Sequence, residues 1–220
     1  LQNVIDLDMT DLQRTELIVN TNFYGVLRTT DAFLDLIEDG GRVVNVSSGL
    51  GSAWLRTRDE RTRRLFSGMG TGEDDRLTLG ALKAAVTDAI RSASEEGRFE
   101  SLGKLGYGLS KAAVTALTLL HAREHNELVF ASLTPGFVRT AMTAGRDAPL
   151  SPAEGTRSIR KCLFAEDVVS GGYYGADGLR SPLVVRRDVG FPEYQVRYTS
   201  PLCGGPGFVM CVLNLYWRHR

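Results

Sequence analysis

A tyrosine and a lysine four positions apart, Tyr107 and Lys111, are the residues of this sequence best suited to acid–base chemistry. On a helix, positions four apart lie on the same face, one turn from each other. A free phenol has a pKa near about 10 and carries protons poorly at neutral pH, whereas a nearby ammonium favours the phenolate and lowers that pKa. The pair is therefore suited to exchanging a proton with a carbonyl oxygen. The spacing alone is weak evidence, because surface helices also carry such pairs by chance.

Two strand patterns flank the segment that holds this pair. Residues 42–48 read as a buried strand that ends in two serines, and residues 128–133 read as a second strand that runs into Thr134-Pro135-Gly136. Between them, apolar residues recur at helical spacing. Strand, helix and strand in this order predict a parallel crossover unit, in which ligands lie at the carboxyl ends of the strands. We therefore expect Ser48 and the Pro135-Gly136 pair to converge with Tyr107 on one site.

Four motifs in a fixed order carry a family resemblance: residues 20–25, 41–48, 107–111 and 135–140. Over about residues 1–194 the chain resembles the short-chain dehydrogenase/reductase family, and more narrowly its carbonyl-reductase branch. The resemblance implies an α/β fold, the C-terminal part of a doubly wound parallel (Rossmann-type) sheet. It also implies an insertion at residues 49–105 between the catalytic serine and tyrosine, in which an amphipathic helix with Leu82 and Val86 on one face is expected. Residues 195–220 show no resemblance and are left as an unassigned tail, either a disordered extension or an alternative gene end.

The resemblance also implies roles for individual residues. Ser48, the second serine of the pair, matches the family's catalytic serine, although a serine at a strand end can also simply bond local backbone. Asn22 matches an asparagine at a local helix distortion, where a water links the lysine to a proton relay. The implied catalytic residues are Asn22, Ser48, Tyr107 and Lys111. The implied cofactor-binding residues are Tyr107, Lys111, Pro135, Gly136, Val138 and Thr140.

The activity implied by the resemblance is NADPH-dependent reduction of aldehydes, ketones or quinones, with NADPH inherited from the branch. The strand and glycine-rich turn that open the family's fold do not precede residue 1, so we expect an active-site half that binds cofactor poorly. A non-catalytic fragment or degraded relative that acts as a binding module is one alternative. A sugar-nucleotide epimerase also carries Tyr-x-x-x-Lys, but it normally has a large C-terminal substrate domain.

The composition of the chain limits the kinds of binding partner and the cellular compartment that can be expected. Twenty-six basic residues balance twenty-six acidic ones, which gives no global field for nucleic acid or an anionic membrane. The three cysteines lack metal spacing and favour free thiols in a reducing compartment, so a cytoplasmic protein without a metal site is expected. The longest apolar run, residues 208–217, is too short for a membrane helix. Because the branch's insertion covers the surface through which many family members pair, a monomer with a small-molecule substrate is expected.

Overall fold

The computed structural model describes residues 9–95, 102–184, 187, 190–194 and 209–212. They build a sheet of four strands in the order β3-β2-β1-β4: β1 Arg42–Val46, β2 Val129–Leu133, β3 Gly172–Tyr174 and β4 Val209–Val212. All three pairings are parallel, and Val44 of β1 is in register with Ala131 of β2. The predicted parallel pairing of the two long strand patterns is confirmed.

The first described segment is helical, with one interruption. Helix α1 (Asp11–Val19) begins after Thr10, whose side chain forms a capping box with Gln13. A π-helical turn, Asn20–Tyr24, follows, and helix α2 (Gly25–Phe33) then runs into a 3-10 turn, Leu34–Leu36. The chain therefore carries a local distortion at the motif that contains Asn22.

Within the expected insertion, the described residues 49–95 form three helices: α3 (Gly49–Arg56), α4 (Glu60–Ser67) and α5 (Leu79–Glu95). Helix α5 buries Leu82 and Val86, which confirms the predicted amphipathic helix. The glycine-rich stretch between α4 and α5 is a turn, since Gly68 ends α4 with a φ of 65°.

Helix α6 (Leu102–Glu124) lies at the centre of the molecule. It packs against β1 and β2 on one side and against α1, α3, α4 and α5 on others. Ala113, Ala116 and Leu117 in its middle are fully buried. The insertion helices thus cover α6, as the resemblance implies.

The two faces of the sheet carry separate apolar clusters. Val43 and Phe130 belong to the cluster shared with α6 and the insertion. Val44 and Ala131 belong to a second cluster that includes Cys162 of helix α8 (Arg157–Phe164). Helices therefore cover both faces, which is the doubly wound arrangement that the sequence predicts.

The chain after β2 differs from expectation at one point. A short helix, α7 (Pro152–Gly155), starts with a capping box of Ser151 and Glu154 and leads into α8 and β3. The sequence reads Gly171–Gly175 as the last strand, but β4 follows it and pairs with the free side of β1. Part of the tail left unassigned therefore joins the sheet, and the rest of the tail lies outside the described residues.

Neither a membrane-crossing helix nor a metal cluster is found in the described part of the chain. No helix there has both the length and the apolarity needed to cross a bilayer. The same residues contain no group of three or more His, Cys, Asp or Glu side chains that could hold a metal ion.

Candidate active site

The two serines that follow β1, Ser47 and Ser48, have different surroundings. Ser47 is buried, donates to the carbonyl oxygen of Lys111 at 2.8 Å and lies 2.7 Å from Thr115 Oγ1. Ser48 caps helix α3, accepts from the amide of Leu50 at 3.2 Å and lies near enough to the Tyr107 hydroxyl to lower its pKa. Ser47 thus ties the strand to α6, whereas Ser48 faces the tyrosine.

Lys111 is held inside the protein by the end of the same strand. Its side chain is only 2% exposed, and Nζ donates to the carbonyl oxygen of Val46 at 2.9 Å. The ammonium also lies 5.6 Å from the centre of the Tyr107 ring. Burial disfavours the charged form and lowers the pKa of Lys111 to about 8.

Tyr107 has a shifted pKa, but in the direction opposite to the one the sequence suggests. Burial raises the pKa of Tyr107 above its ordinary value, and the hydrogen bond with Ser48 opposes this only in part. The expectation of a lowered pKa is therefore wrong for this structure. The reason is geometric: Lys111 points its ammonium at the Val46 carbonyl and the ring face, and the phenol is largely desolvated.

Two glycines let helix α3 approach the turn of α6 that carries Tyr107 and Lys111. A Cβ at Gly51 would lie 2.8 Å from the Ala112 nitrogen and 2.9 Å from the Lys111 carbonyl carbon. A Cβ at Gly108 would lie 3.0 Å from Trp54 Cβ. Sequence reasoning missed both glycines, although small residues on two helices at the same site are a signal of close packing.

Asn22 reaches the same turn from the other side. Its Nδ2 donates to Ser110 Oγ at 3.1 Å, and Ser110 Oγ in turn donates to the Tyr107 carbonyl oxygen at 2.8 Å. Both side chains are buried. The π-helical turn is thus fastened to α6 between Tyr107 and Lys111. Ser110, which the sequence analysis did not single out, makes this link.

The predicted cofactor-binding loop follows β2. Because β1 and β2 pair in register up to Val46 and Leu133, the loop starts at the same edge of the sheet as Ser48. Gly136 has a φ of 83°, and a Cβ there would lie 2.6 Å from Leu150 Cδ1. Pro135 precedes this turn.

The rest of this loop is braced by its own polar groups. Thr143 Oγ1 accepts from the Thr140 amide at 2.8 Å and donates to the Val138 carbonyl oxygen at 2.6 Å. Val138 also forms an isolated parallel bridge with Leu150. These contacts fix the backbone conformation of the loop, which lies at the carboxyl edge of the sheet.

These groups fit one half of a nicotinamide cofactor site. A buried ammonium at Lys111, a phenol at Tyr107 and the backbone of residues 135–140 lie around the carboxyl ends of β1 and β2. A cradle for the pyrophosphate needs backbone amides in a glycine-rich turn at a helix start. Of β1, β2 and β3, only β1 runs directly into a helix, α3, and Gly51 in the first turn of that helix packs against the backbone of α6.

The fold defines a class: a parallel α/β protein of the Rossmann type whose polar site lies at the carboxyl edge of its sheet. Salutaridine reductase from Papaver somniferum superposes with a TM-score of 0.60 at 27% identity, covering 74% of this chain and 55% of that one. Menthone neomenthol reductase from Mentha piperita, at 22% identity and a TM-score of 0.56, shares the fold over 76% of this chain and 52% of its own.

Curated relatives point to the same family. Human "Carbonyl reductase [NADPH] 1" is 30% identical over 151 residues, which is 66% of this chain and 52% of that protein. "Short-chain dehydrogenase/reductase 1" of Saponaria officinalis is 31% identical over 163 residues, 71% of this chain and 51% of that protein. No family model matches the chain. The chain belongs to the short-chain dehydrogenase/reductase family, and it spans about half the length of the curated relatives it matches.

Proposed function

We propose that the full-length protein carrying this chain reduces a small carbonyl compound, an aldehyde, ketone or quinone, with NADPH. The observation that carries the proposal is the buried Lys111 ammonium 5.6 Å from the centre of the Tyr107 ring, with Ser48 near enough to influence the Tyr107 hydroxyl. The relatives named as NADPH carbonyl reductases support the choice of substrate and cofactor. When bound, the nicotinamide supplies a hydride to the carbonyl carbon.

Tyr107 gives its proton to the substrate oxygen. A raised pKa keeps the phenol protonated at neutral pH, which is the form that a general acid in a reduction needs. Once the proton has left, the Lys111 ammonium near the ring stabilises the phenolate. Ser48 donates to the same oxygen as negative charge develops on it.

Asn22 helps to return a proton to Tyr107 after each reduction. Its buried amide and the adjacent π-helical turn order a water that passes a proton back through Lys111. Tyr107 and Lys111 with Pro135, Gly136, Val138 and Thr140 hold the nicotinamide end of the cofactor. This assignment is supported by the position of these residues, which all lie near the carboxyl ends of β1 and β2.

A binding module without catalysis is the second candidate. It is favoured by the share of the relatives that the chain spans, about half of their length, and by the missing pyrophosphate cradle within the described residues. Titrating NADPH against the 220-residue chain and against the full-length protein, with nucleotide fluorescence as the readout, separates the two. We expect binding and turnover only in the full-length protein. If that protein neither binds NADPH nor reduces a quinone, the binding module stands.

The protein is also proposed to be a monomer in a reducing compartment such as the cytoplasm. The insertion helices cover α6, and the chain has only three cysteines, of which Cys162 is buried. Light scattering should give the monomer mass. A dimer that persists on dilution would show that another surface mediates pairing.

A further inference from the structure

A buried ion pair follows β3, the edge strand on the side of the sheet opposite to β4. The Arg187 guanidinium bonds the Asp177 carboxylate, and the two side chains are only 5% and 10% exposed. Arg187 Nε also donates to Ser181 Oγ at 3.2 Å, and Nη1 donates to the Phe191 carbonyl oxygen at 2.7 Å. The guanidinium therefore joins the turn that follows β3 to the later segment around Phe191.

The turn after β3, residues 175–179, is shaped around this pair. Asp177 accepts from the Leu179 amide at 3.1 Å, and the Gly175 amide donates to the Leu179 carbonyl oxygen at 2.8 Å. A Cβ at Gly175 would lie 2.9 Å from Arg187 Nη2 and 3.0 Å from Asp177 Oδ1. The guanidinium thus occupies the space that a side chain at Gly175 would need.

The same turn touches the loop that is proposed to hold the cofactor. A Cβ at Gly136 would lie 2.8 Å from the Ala176 Cβ, so the methyl group of Ala176 packs directly on that glycine. The Thr134 amide, just before the loop, donates to the Tyr174 carbonyl oxygen at 2.9 Å. A chain of direct contacts therefore runs from Arg187 through the turn to Gly136.

Stability alone is a weak reason for burying this pair. Replacing a buried ion pair with apolar side chains of similar volume often leaves stability unchanged or raises it, because both charges lose their hydration on burial. Within the part of the chain that the structure describes, Asp177 Oδ2 is buried without a hydrogen-bond partner, which adds to this cost. Such a pair can instead fix one backbone conformation, and a backbone that binds a ligand needs rigid support.

We propose that Arg187 is a positioning residue for the cofactor. Paired with Asp177, it holds Ala176 against Gly136 and so fixes the backbone of residues 135–140 for the nicotinamide end of NADPH. This role rests on the proposed function, because it concerns the cofactor which that function requires. Loss of the pair should loosen the loop and weaken cofactor binding, and leave the chemical step unchanged once the cofactor is bound.

The test variant replaces both members of the pair, so that no buried charge is left alone. Arg187→Met keeps most of the length of the side chain, and Asp177→Asn keeps an oxygen that can accept from the Leu179 amide. The matched control is Arg64→Met with Asp75→Asn, which removes an arginine–aspartate pair of the insertion whose Nε and Oδ2 lie 2.7 Å apart. Tm shows whether both variants are folded.

A conservative variant covers a folding failure of the test variant. Arg187→Lys keeps the charge beside Asp177 but loses the planar fork that also reaches Ser181 and Phe191. It then takes the place of the test variant, with effects expected in the same direction and judged by the same outcomes.

The first measurement follows the loop without any cofactor. Hydrogen exchange of the full-length protein, detected by mass spectrometry, reports protected amides such as that of Arg139, which donates to the Leu150 carbonyl oxygen at 2.8 Å. Exchange in residues 135–140 should be about tenfold faster in the test variant and unchanged in the control. Exchange at the parent rate in the test variant overturns the proposal, whether or not the protein reduces carbonyl compounds.

The second measurement follows the cofactor. NADPH is titrated by nucleotide fluorescence, and steady-state quinone reduction gives KM for NADPH and turnover. In the test variant Kd and KM for NADPH should each rise about tenfold, with turnover at saturating NADPH within about twofold of the parent protein. A parent protein that does not bind NADPH overturns the proposed function and this role with it. A test variant that binds NADPH as tightly as the parent, or an equal loss in the control, overturns the role alone.

Discussion

Adding one methyl group at Gly51 should loosen the site by separating α3 from α6. The new Cβ would lie 2.8 Å from the Ala112 nitrogen and 2.9 Å from the Lys111 carbonyl carbon, and both are backbone atoms that cannot rotate away. Overpacking of this kind costs about 1–3 kcal/mol. Removing a glycine from a helix returns about 0.5–1 kcal/mol. The expected net loss for Gly51→Ala is about 0–2.5 kcal/mol, which lowers Tm by up to about 10 °C for a chain of this size.

Gly49→Ala is the matched control, because nothing lies within 4 Å of a Cβ at Gly49 in the same helix. Urea unfolding followed by circular dichroism gives both free energies of unfolding. Ser48 caps α3, so the displacement should also lower turnover of the full-length protein. If Gly51→Ala is as stable as Gly49→Ala, the close packing of α3 on α6 described above is incorrect.

Three further predictions concern pH and the polar residues around Tyr107. Burial and the nearby His125 lower the pKa of His121 to about 4, so the folded state binds fewer protons than the unfolded state between that pH and the ordinary value near 6.5. The free energy of unfolding should therefore be highest above about pH 6.5 and fall by up to about 3 kcal/mol towards pH 4. In urea unfolding, the His121→Leu variant should show a flatter pH dependence in this window than the control variant His125→Gln. Ser47→Ala should cost about 1–3 kcal/mol of stability through its lost buried hydrogen bonds, whereas Ser48→Ala should lower turnover with little effect on cofactor affinity. Lys111→Met should lower both turnover and cofactor affinity of the full-length protein while keeping or raising its Tm, because a buried charge is removed.

Each of these predictions has an outcome that would contradict it. If the free energy of unfolding of His121→Leu depends on pH as it does in the parent protein, a group other than His121 controls the loss of stability in acid. A Ser47→Ala variant as stable as the parent protein would show that the buried hydrogen bonds of Ser47 do not stabilise the fold. A large fall in Tm for Lys111→Met would mean that the bond to Val46 outweighs the cost of burying the charge.

Much of the architecture follows from local patterns in the sequence. Runs of apolar residues predict β1 and β2, whose parallel pairing the structure confirms, and Thr10 and Ser151 are of a type that typically caps helix starts, as both do here. These features are readable because each depends on a few neighbouring residues. The distortion at Asn22 was expected from the resemblance, since nothing in helix propensity specifies a π-helical turn.

The remaining features depend on segments far apart in the chain. β4 has four apolar residues, too few to distinguish from any short run until they pair with β1. The pKa of Tyr107 depends on how deeply three insertion helices bury α6, and spacing cannot reveal burial. Ser110 gains its role only because Asn22, 88 residues away, donates to it.

The most direct test of the proposed chemistry compares Tyr107→Phe with Tyr24→Phe in the full-length protein. Each change removes one hydroxyl and little volume, and Tyr24 lies beside the Asn22 motif with no proposed proton transfer. Steady-state reduction of a quinone by NADPH is measured for both, with Tm confirming that both are folded. The account predicts that Tyr107→Phe lowers turnover by about 10² or more, the scale of lost acid–base catalysis, while Tyr24→Phe stays close to the parent protein. Full activity in both variants would show that Tyr107 is only a helix tyrosine.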